Sequence, residues 1–309
     1  MFVIPDDFRA RMVALCGEDG RDWLNRLPAI LARCSESWEI TIDEPFLPLT
    51  YNYVAPAVRH DGAPVIVKAC PPAVEFAQQS VALRLFGGHG ITRLLECDDE
   101  NDVMLLERLL PGTTLRGMKD DELATSIAAS VMKQLWRPVP AIHPFPTTSD
   151  WGKGFKHLRQ YFHGGCGPFP CKLLEEAETL FSELSASMAV QVLLHGDLHH
   201  DNILAAQRAP WLAIDPKGLV GEPAYETGSW LRNWLPDLLQ QPQPERILAR
   251  RVDQFAEELG FDRTRIRGWG LAQAVLSAWW SFEDFGEDWQ RVGGQDVLTC
   301  AELLATIKV

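Results

Sequence analysis

Two short apolar runs, each ending in an acidic residue, constrain this chain more than anything else in it. The first is Val192-Leu-Leu-His195-Gly196-Asp197, which continues through Leu198, His199, His200 and Asp201 to Asn202-Ile203-Leu204. The second is Trp211-Leu-Ala-Ile214-Asp215-Pro216. Apolar runs this short, bounded by polar residues, read as buried strands, so each acid is delivered into a loop at a strand end. Asn202 follows Asp197 by five positions. Such a set suits phosphoryl transfer: one carboxylate orients and deprotonates a hydroxyl, while the amide and the second carboxylate hold Mg²⁺ on nucleotide phosphates. Carboxylate, amide and phosphate oxygens are the hard ligands that Mg²⁺ takes.

The same stretch also admits a transition-metal reading, because His195, His199 and His200 lie among Asp197 and Asp201, and His195 and His199 have i, i+4 spacing. Gly196 disfavours a helix there, and no Glu follows His195 as a zinc-protease motif requires. His199 and His200 read more simply as structural or surface residues, and His195 as a residue that packs and hydrogen-bonds the loop rather than a base.

The pattern His-Gly-Asp-x-x-x-x-Asn followed by Ile-Asp resembles the catalytic and metal-binding segments of kinase-like small-molecule phosphotransferases. The fuller string HGDLHHDNIL…WLAIDPKGLVGEP resembles the aminoglycoside and hydroxyurea resistance kinases, and among them the streptomycin 6-phosphotransferases. The resemblance implies an α+β, bilobal, protein-kinase-like fold: a small N-terminal β-sheet lobe over residues 1–110, with a helical leader, and a larger, mainly helical C-terminal lobe over 111–309. It implies an ATP- and Mg²⁺-dependent transfer to a hydroxyl of a small molecule, an aminoglycoside such as streptomycin, conferring resistance. Asp197 is then the catalytic residue, and Asn202 and Asp215 are the metal ligands. Hydroxyurea or another metabolite is the alternative acceptor, since a shared fold does not fix a substrate. A nucleotide-binding pseudokinase and a metallohydrolase are the alternatives from other classes.

The remaining expectations follow the chain. Residues 1–38 read as an amphipathic helix with Pro28 a kink. Strands follow to Cys70, with Asp61-Gly62 as a hairpin turn and Pro64–Ala69 as a strand. Lys68, near the end of that strand, resembles the lysine that binds nucleotide phosphates in kinases. The helix Ala73 to Phe86 carries Glu75, the candidate partner of Lys68, although its place also suits an N-terminal helix acid. There is no Gly between residues 46 and 60, so a glycine-rich phosphate cover is missing and Leu49–Tyr53 is the substitute loop. Val103 to Gly112 resembles the strand and hinge between kinase lobes, with the backbone from Glu107 to Leu109 reading adenine. Helices are expected around 123–135, 152–163, 173–184, 244–259 and 263–285. The short run from Asp215 to Gly221 leaves no room for a protein kinase's activation segment, which favours a small acceptor. Trp230, Trp234, Trp279 and Trp280, with Asp237, Glu283, Asp284, Glu287 and Asp288, could stack on and neutralise a cationic substrate; they read more simply as a tryptophan-rich core with solvated acids.

Composition narrows the partners. A net charge of −13 over 309 residues argues against a nucleic-acid partner and suits a cationic small molecule. No run of 18 apolar residues and no signal-like N-terminus is present, so neither membrane nor export is expected, and no protein partner is evident. The seven cysteines (16, 34, 70, 97, 166, 171 and 300) lack CxxC spacing, and reduced thiols in a cytoplasm are the expectation.

Overall fold

A computed structural model of the chain describes residues 2–72 and 75–309. The chain divides into two compact units: one runs to Gly112 and includes Ala206–Arg208, and the other holds Thr113–Ala205 and Ala209–Val309.

The first unit opens with α1 (Asp6–Ser37). Helical φ/ψ is interrupted inside it at Gly17, not at Pro28 where the sequence suggested a kink. Gly17 takes φ 58°, a left-handed conformation that costs glycine little, and this turns the chain between two helical stretches. Strands β1 (Ile40–Ile42), β2 (Tyr53–Arg59) and β3 (Pro64–Ala69) follow, then α2 (Glu75–Phe86), β4 (Leu94–Asp98) and β5 (Val103–Glu107). Ala73 and Val74, where the second helix was expected to begin, lie outside the described residues. The strands form an antiparallel sheet in the order β1–β2–β3–β5–β4. Phe8, Trp23, Leu27 and Leu31 of α1 share one core with Tyr53, Ala55, Val65, Val67 and Leu105 of the sheet. Side chains alternate across a strand, so Ile66 and Lys68 fall on the sheet face opposite Val65 and Val67. Tyr53 is fully buried as the first residue of β2. The Leu49–Tyr53 loop is therefore shorter than the sequence suggested, and Leu49 is itself buried, its carbonyl accepting from Arg11 at 2.7 Å.

β6 (Pro111–Thr114) carries the chain onward to α3 (Asp121–Leu135), α4 (Thr148–Tyr161) and α5 (Cys171–Ala186). The start of α4 lies four residues ahead of the expected one, because Thr147 and Asp150 form a capping box that satisfies the first-turn amides. The strands β7 (Val192–Leu194), β8 (Ile203–Ala206), β9 (Trp211–Ala213) and β10 (Leu219–Gly221) come next, followed by α6 (Thr227–Leu231), α7 (Pro244–Leu259), α8 (Arg263–Phe285) and α9 (Gly294–Thr306). α7 and α8 run as the sequence indicates, with Pro244 opening α7 and Gly260 closing it in a left-handed conformation. α8 is buried on almost every side from Ile266 to Trp279, the pattern of a central core helix. None of the described helices is long and apolar enough to cross a membrane.

One sequence expectation, that the thiols are all reduced, is corrected here, and one pair of alternatives is decided. Cys166 and Cys171 form a disulfide, their Cα atoms 5.4 Å apart, while Cys16, Cys34, Cys97 and Cys300 take no part in one. The Gly167-Pro168-Phe169-Pro170 turn between them is pinned by the buried Phe169, which packs on Phe162, Trp279 and Trp289. Trp230 and Trp279 are core residues, not stacking platforms, because both are buried. Trp234 and Trp280 are half-buried, and Trp280 meets Trp151 edge-on at 5.4 Å.

Candidate active site

The strand pairing brings the two acidic loops side by side. β7 pairs antiparallel with β10, Leu194 opposite Leu219, and β8 pairs with β9, Ile203 opposite Ala213. Loop 195–202 therefore joins β7 to β8 while loop 214–218 joins β9 to β10, each spanning the same gap between ladders. Backbone bonds stitch them together: Ile214 N–H donates to Asn202 O at 2.9 Å, and Lys217 N–H to His195 O at 2.8 Å.

His195 is the peg of this arrangement. Its Nε2–H donates to Ile214 O at 2.7 Å, and its Nδ1 accepts from the Asp197 N–H at 3.2 Å. The carbonyl can only accept, so the tautomer is fixed. Full burial pushes the ring's pKa down to about 4, which keeps the imidazole neutral at pH 7. With both nitrogens committed it is neither a base nor a metal ligand, which removes the zinc reading of the three histidines. Among the described residues no group of three His, Cys, Asp or Glu is placed to hold a metal ion.

Asp197 presents its carboxylate from this loop with 29% of the side chain exposed. Arg232 Nη2 lies 3.4 Å from Oδ1, and His199 Nε2 lies 3.7 Å from Oδ2. Burial raises the carboxyl's pKa, but the fields of His199, Arg232 and Lys217 outweigh it and hold the group below the ordinary aspartate range. Asp197 is thus an ionised acceptor at neutral pH. Asn202 donates through Nδ2 to Asp197 O at 2.9 Å, which leaves Oδ1 as the amide end suited to a hard cation. Asp215 sits at φ 65°, a left-handed conformation uncommon outside Gly, Asn and Asp and one that recurs at functional sites. An amide oxygen and a carboxylate on adjoining loops are the donor chemistry of an Mg²⁺ site.

The cofactor candidates all belong to the first unit. Lys68, paired across the sheet with Val54 and Met104, is 5% exposed in the interior of β3. Glu75 is exposed in the first turn of α2, and Gln79 one turn later is buried. Glu107 ends β5 with its N–H donated to Arg93 O at 2.9 Å. Its carboxylate accepts from Arg208 Nη2 at 2.8 Å and from the Arg93 N–H at 3.1 Å. Burial raises this carboxyl, and the Arg208 guanidinium more than reverses that. Arg208 also donates to Gly88 O and Ile91 O, both at 2.8 Å. Leu109 follows with its side chain buried.

Sequence reasoning passed over three of the site's residues. His199 reads in the sequence as a structural or surface residue, yet it borders Asp197 and caps the turn His200–Asn202 by accepting from the Asp201 N–H. Arg232 ends α6, 35 positions past Asp197, a separation that no local pattern signals. Glu226, 1% exposed, accepts from the N–H of His195 at 2.7 Å and of Gly196 at 3.0 Å, and so holds the entry to the loop. His200, by contrast, is structural, stacked on Trp230 with centroids 3.6 Å apart.

Glu226 has a measurable signature. Burial raises its pKa from 4.5 to about 7, against the two amide bonds that favour the carboxylate. Between those values the folded chain keeps a proton that the unfolded chain has released, so this group's contribution to stability is full below about 4.5 and is lost as pH rises to about 7. That displacement corresponds to roughly 3 kcal/mol. In urea unfolding from about pH 5 to 7.5, Glu226→Gln is expected to lack this component of the wild-type slope; parallel slopes would refute the assignment.

Comparison with known proteins identifies relatives of this chain. The family model for aminoglycoside/hydroxyurea antibiotic resistance kinases matches residues 42–285. The chain is 33% identical over 282 residues to a streptomycin 6-kinase of Streptomyces glaucescens, covering 91% of each chain. It is 32% identical over 294 residues to a hydroxyurea phosphotransferase of Kitasatospora aureofaciens, covering 91% of this chain and 81% of that one. Among solved structures, an aminoglycoside phosphotransferase in ternary complex with ADP and hygromycin B superposes with a TM-score of 0.62 at 14% identity, over 89% of this chain and 98% of that one. The fold is therefore protein-kinase-like, with an antiparallel sheet in its N-terminal region and a mainly helical remainder, as the sequence implied. On the family match and the relatives together, the chain belongs to the aminoglycoside/hydroxyurea antibiotic resistance kinase family and is a phosphotransferase that uses a nucleotide.

Proposed function

We propose that this enzyme transfers the γ-phosphoryl group of ATP to a hydroxyl of a small cationic molecule, an aminoglycoside of the streptomycin kind, and thereby confers resistance. The observation that carries the reading is the ionised Asp197, held by Arg232 and His199 in a loop that also carries Asn202 and is stitched to the Asp215 loop. Asp197 orients the acceptor hydroxyl and takes its proton as the oxygen bonds to Pγ and the Pγ–O bond to ADP breaks. Asn202 and Asp215 would hold Mg²⁺, which supplies neutralisation of the phosphate charge when bound. Lys68 serves the α/β phosphates, and Glu75 is its proposed partner. The Glu107 N–H is spent on Arg93, so the hinge groups offered to adenine come from Arg108 and Leu109. Residues up to about 110 act as the nucleotide-binding lobe and those beyond it as the catalytic and acceptor-binding lobe. Dependence on ATP puts the protein in the cytoplasm.

Release of ADP from Mg-ATP, measured against streptomycin, other aminoglycosides, hydroxyurea and a no-acceptor control, tests the reading. Stimulation by streptomycin alone is the expected result. Stimulation by hydroxyurea alone would move the acceptor to the other branch of the family. No stimulation by any acceptor, with ATP still bound, would favour a pseudokinase or a different metabolite.

A further inference from the structure

Arg232 caps the C-terminal end of α6 and is only 13% exposed, yet its hydrogen bonds are long. Nη2 lies 3.4 Å from both Asp197 Oδ1 and Ser229 Oγ, and Nη1 lies 3.5 Å from Ser277 Oγ. A guanidinium closed on a carboxylate settles at about 2.7–2.9 Å. Other arginines of the second unit are closed in this way: Arg251 meets Asp121 at 2.5 Å, and Arg265 meets Glu222 at 2.7 Å. The Nε–H of Arg232 is buried and finds no acceptor among the described residues. A buried donor left unpaired costs free energy, so its retention needs a reason. The side chain is not sealed off, because it also lines a cleft between α6, α8 and the start of α9. Arg232 is a cation with spare donors, held against the carboxylate whose charge the reaction consumes.

We propose that Arg232 is a second catalytic residue, its guanidinium passing from Asp197 to the transferring phosphoryl group, with Ser229 and Ser277 keeping the fork in place. The inference rests on the phosphotransferase reading and adds to it a group that touches the reacting atoms. The reaction moves negative charge off Asp197. The acceptor's O–H bond breaks and its proton goes to the carboxylate; its oxygen bonds to Pγ, and the Pγ–O bond to ADP breaks with its electron pair leaving on ADP. Asp197 ends neutral, and Arg232 loses its counter-ion as a phosphate ester forms beside it. The acceptor oxygen lies one hydrogen bond, about 2.7 Å, from the carboxylate. A guanidinium already against Oδ1 therefore needs little movement to meet a phosphoryl oxygen. Only a contact that is stronger in the transition state than before it speeds the chemistry. A loosely held cation beside the base satisfies that condition, whereas a closed ion pair would first have to be broken.

The test is calorimetric titration of Mg-ADP into the protein with streptomycin present, with and without aluminium fluoride, whose planar complex mimics the phosphoryl group in transfer. Streptomycin-dependent ADP release is followed alongside, at about pH 8, where carboxylates are ionised. Arg232→Met is expected to lower kcat by ~10²–10³-fold, the usual worth of one preorganised donor, with KM for both substrates within about threefold of wild type. The gain in ADP affinity given by aluminium fluoride should shrink by a similar factor, while ADP alone binds as in the wild type. Arg232→Lys, which keeps the charge without the fork, should lie about tenfold or more below wild type in both measures, and it decides alone if the methionine variant does not fold. Repeating the aluminium fluoride titration in Asp197→Asn separates direct contact from an effect exerted through Asp197. The same further loss on adding Arg232→Met supports contact; no further loss makes Arg232 a positioning residue and overturns the proposal. Wild-type turnover and aluminium fluoride affinity in both Arg232 variants also overturn it, and leave the phosphotransferase reading standing. A wild-type protein that neither turns over streptomycin nor gains ADP affinity from aluminium fluoride overturns both.

Discussion

Asp197→Ala is expected to lower kcat by ~10²–10⁴-fold, the usual worth of a general base, while leaving the affinity for Mg-ATP nearly intact. Proton acceptance occurs only in the transition state, so kcat and kcat/KM for the acceptor should fall together. Asp197→Asn is the companion variant, because it keeps the shape beside Arg232 and His199 and removes only the basicity. The wild-type rate should hold up well below neutral pH, because His199, Arg232 and Lys217 keep this carboxyl ionised under the ordinary aspartate range. Single-turnover kinetics with saturating acceptor measure the effect. Turnover within tenfold of wild type would remove Asp197 from its catalytic role.

The second large effect is expected at Asp215. Asp215→Asn should abolish the stabilisation that Mg-nucleotide gives the protein, which for the wild type is ~2.7 kcal/mol at a ligand concentration 100 times Kd. Asparagine is the sharper choice because the position sits at φ 65°, where Asn is nearly as comfortable as Asp and Ala is not. The unliganded melting temperature should then stay close to wild type. A variant that retains the full Mg-nucleotide shift, still removable by a chelator, would take the metal away from Asp215.

The sequence revealed most where chemistry and order along the chain coincide. The pair of loops that carries Asp197, Asn202 and Asp215 was legible because short strands and a fixed spacing declare it, and the ladders do set those loops side by side. Helices α7 and α8 were legible from period and punctuation, with Pro244 and Gly260 as their signs. The partners that tune the site were not. Glu226 meets the His195 amide across 31 positions, and Arg232 meets Asp197 across 35. A pattern with period 2 or 3.6 says which face is buried but not what it is buried against. The same limit explains the tryptophans. Their spacing fits a core or a stacking wall, and the burial of Trp230 and Trp279, with His200 and Arg251 packed against Trp230, decides for the core. The Cys166–Cys171 bridge escaped notice because its loop matched no redox or zinc spacing, and its closure depends on the anchoring of Phe169.

Arg208 bears on how this protein can be divided. The turn that carries it belongs with the first unit although it lies about a hundred residues further along the chain, and it supplies the guanidinium against Glu107. A gene fragment stopped after Gly112 would encode every strand of the β1–β5 sheet, yet would leave the Glu107 carboxylate and the Gly88 and Ile91 carbonyls without that cation. Those three acceptors would then have to find water in its place. The first unit is thus completed by sequence encoded after the Asp197 loop, and exchange of N-terminal halves between relatives stays coherent only when the β8–β9 turn travels with them.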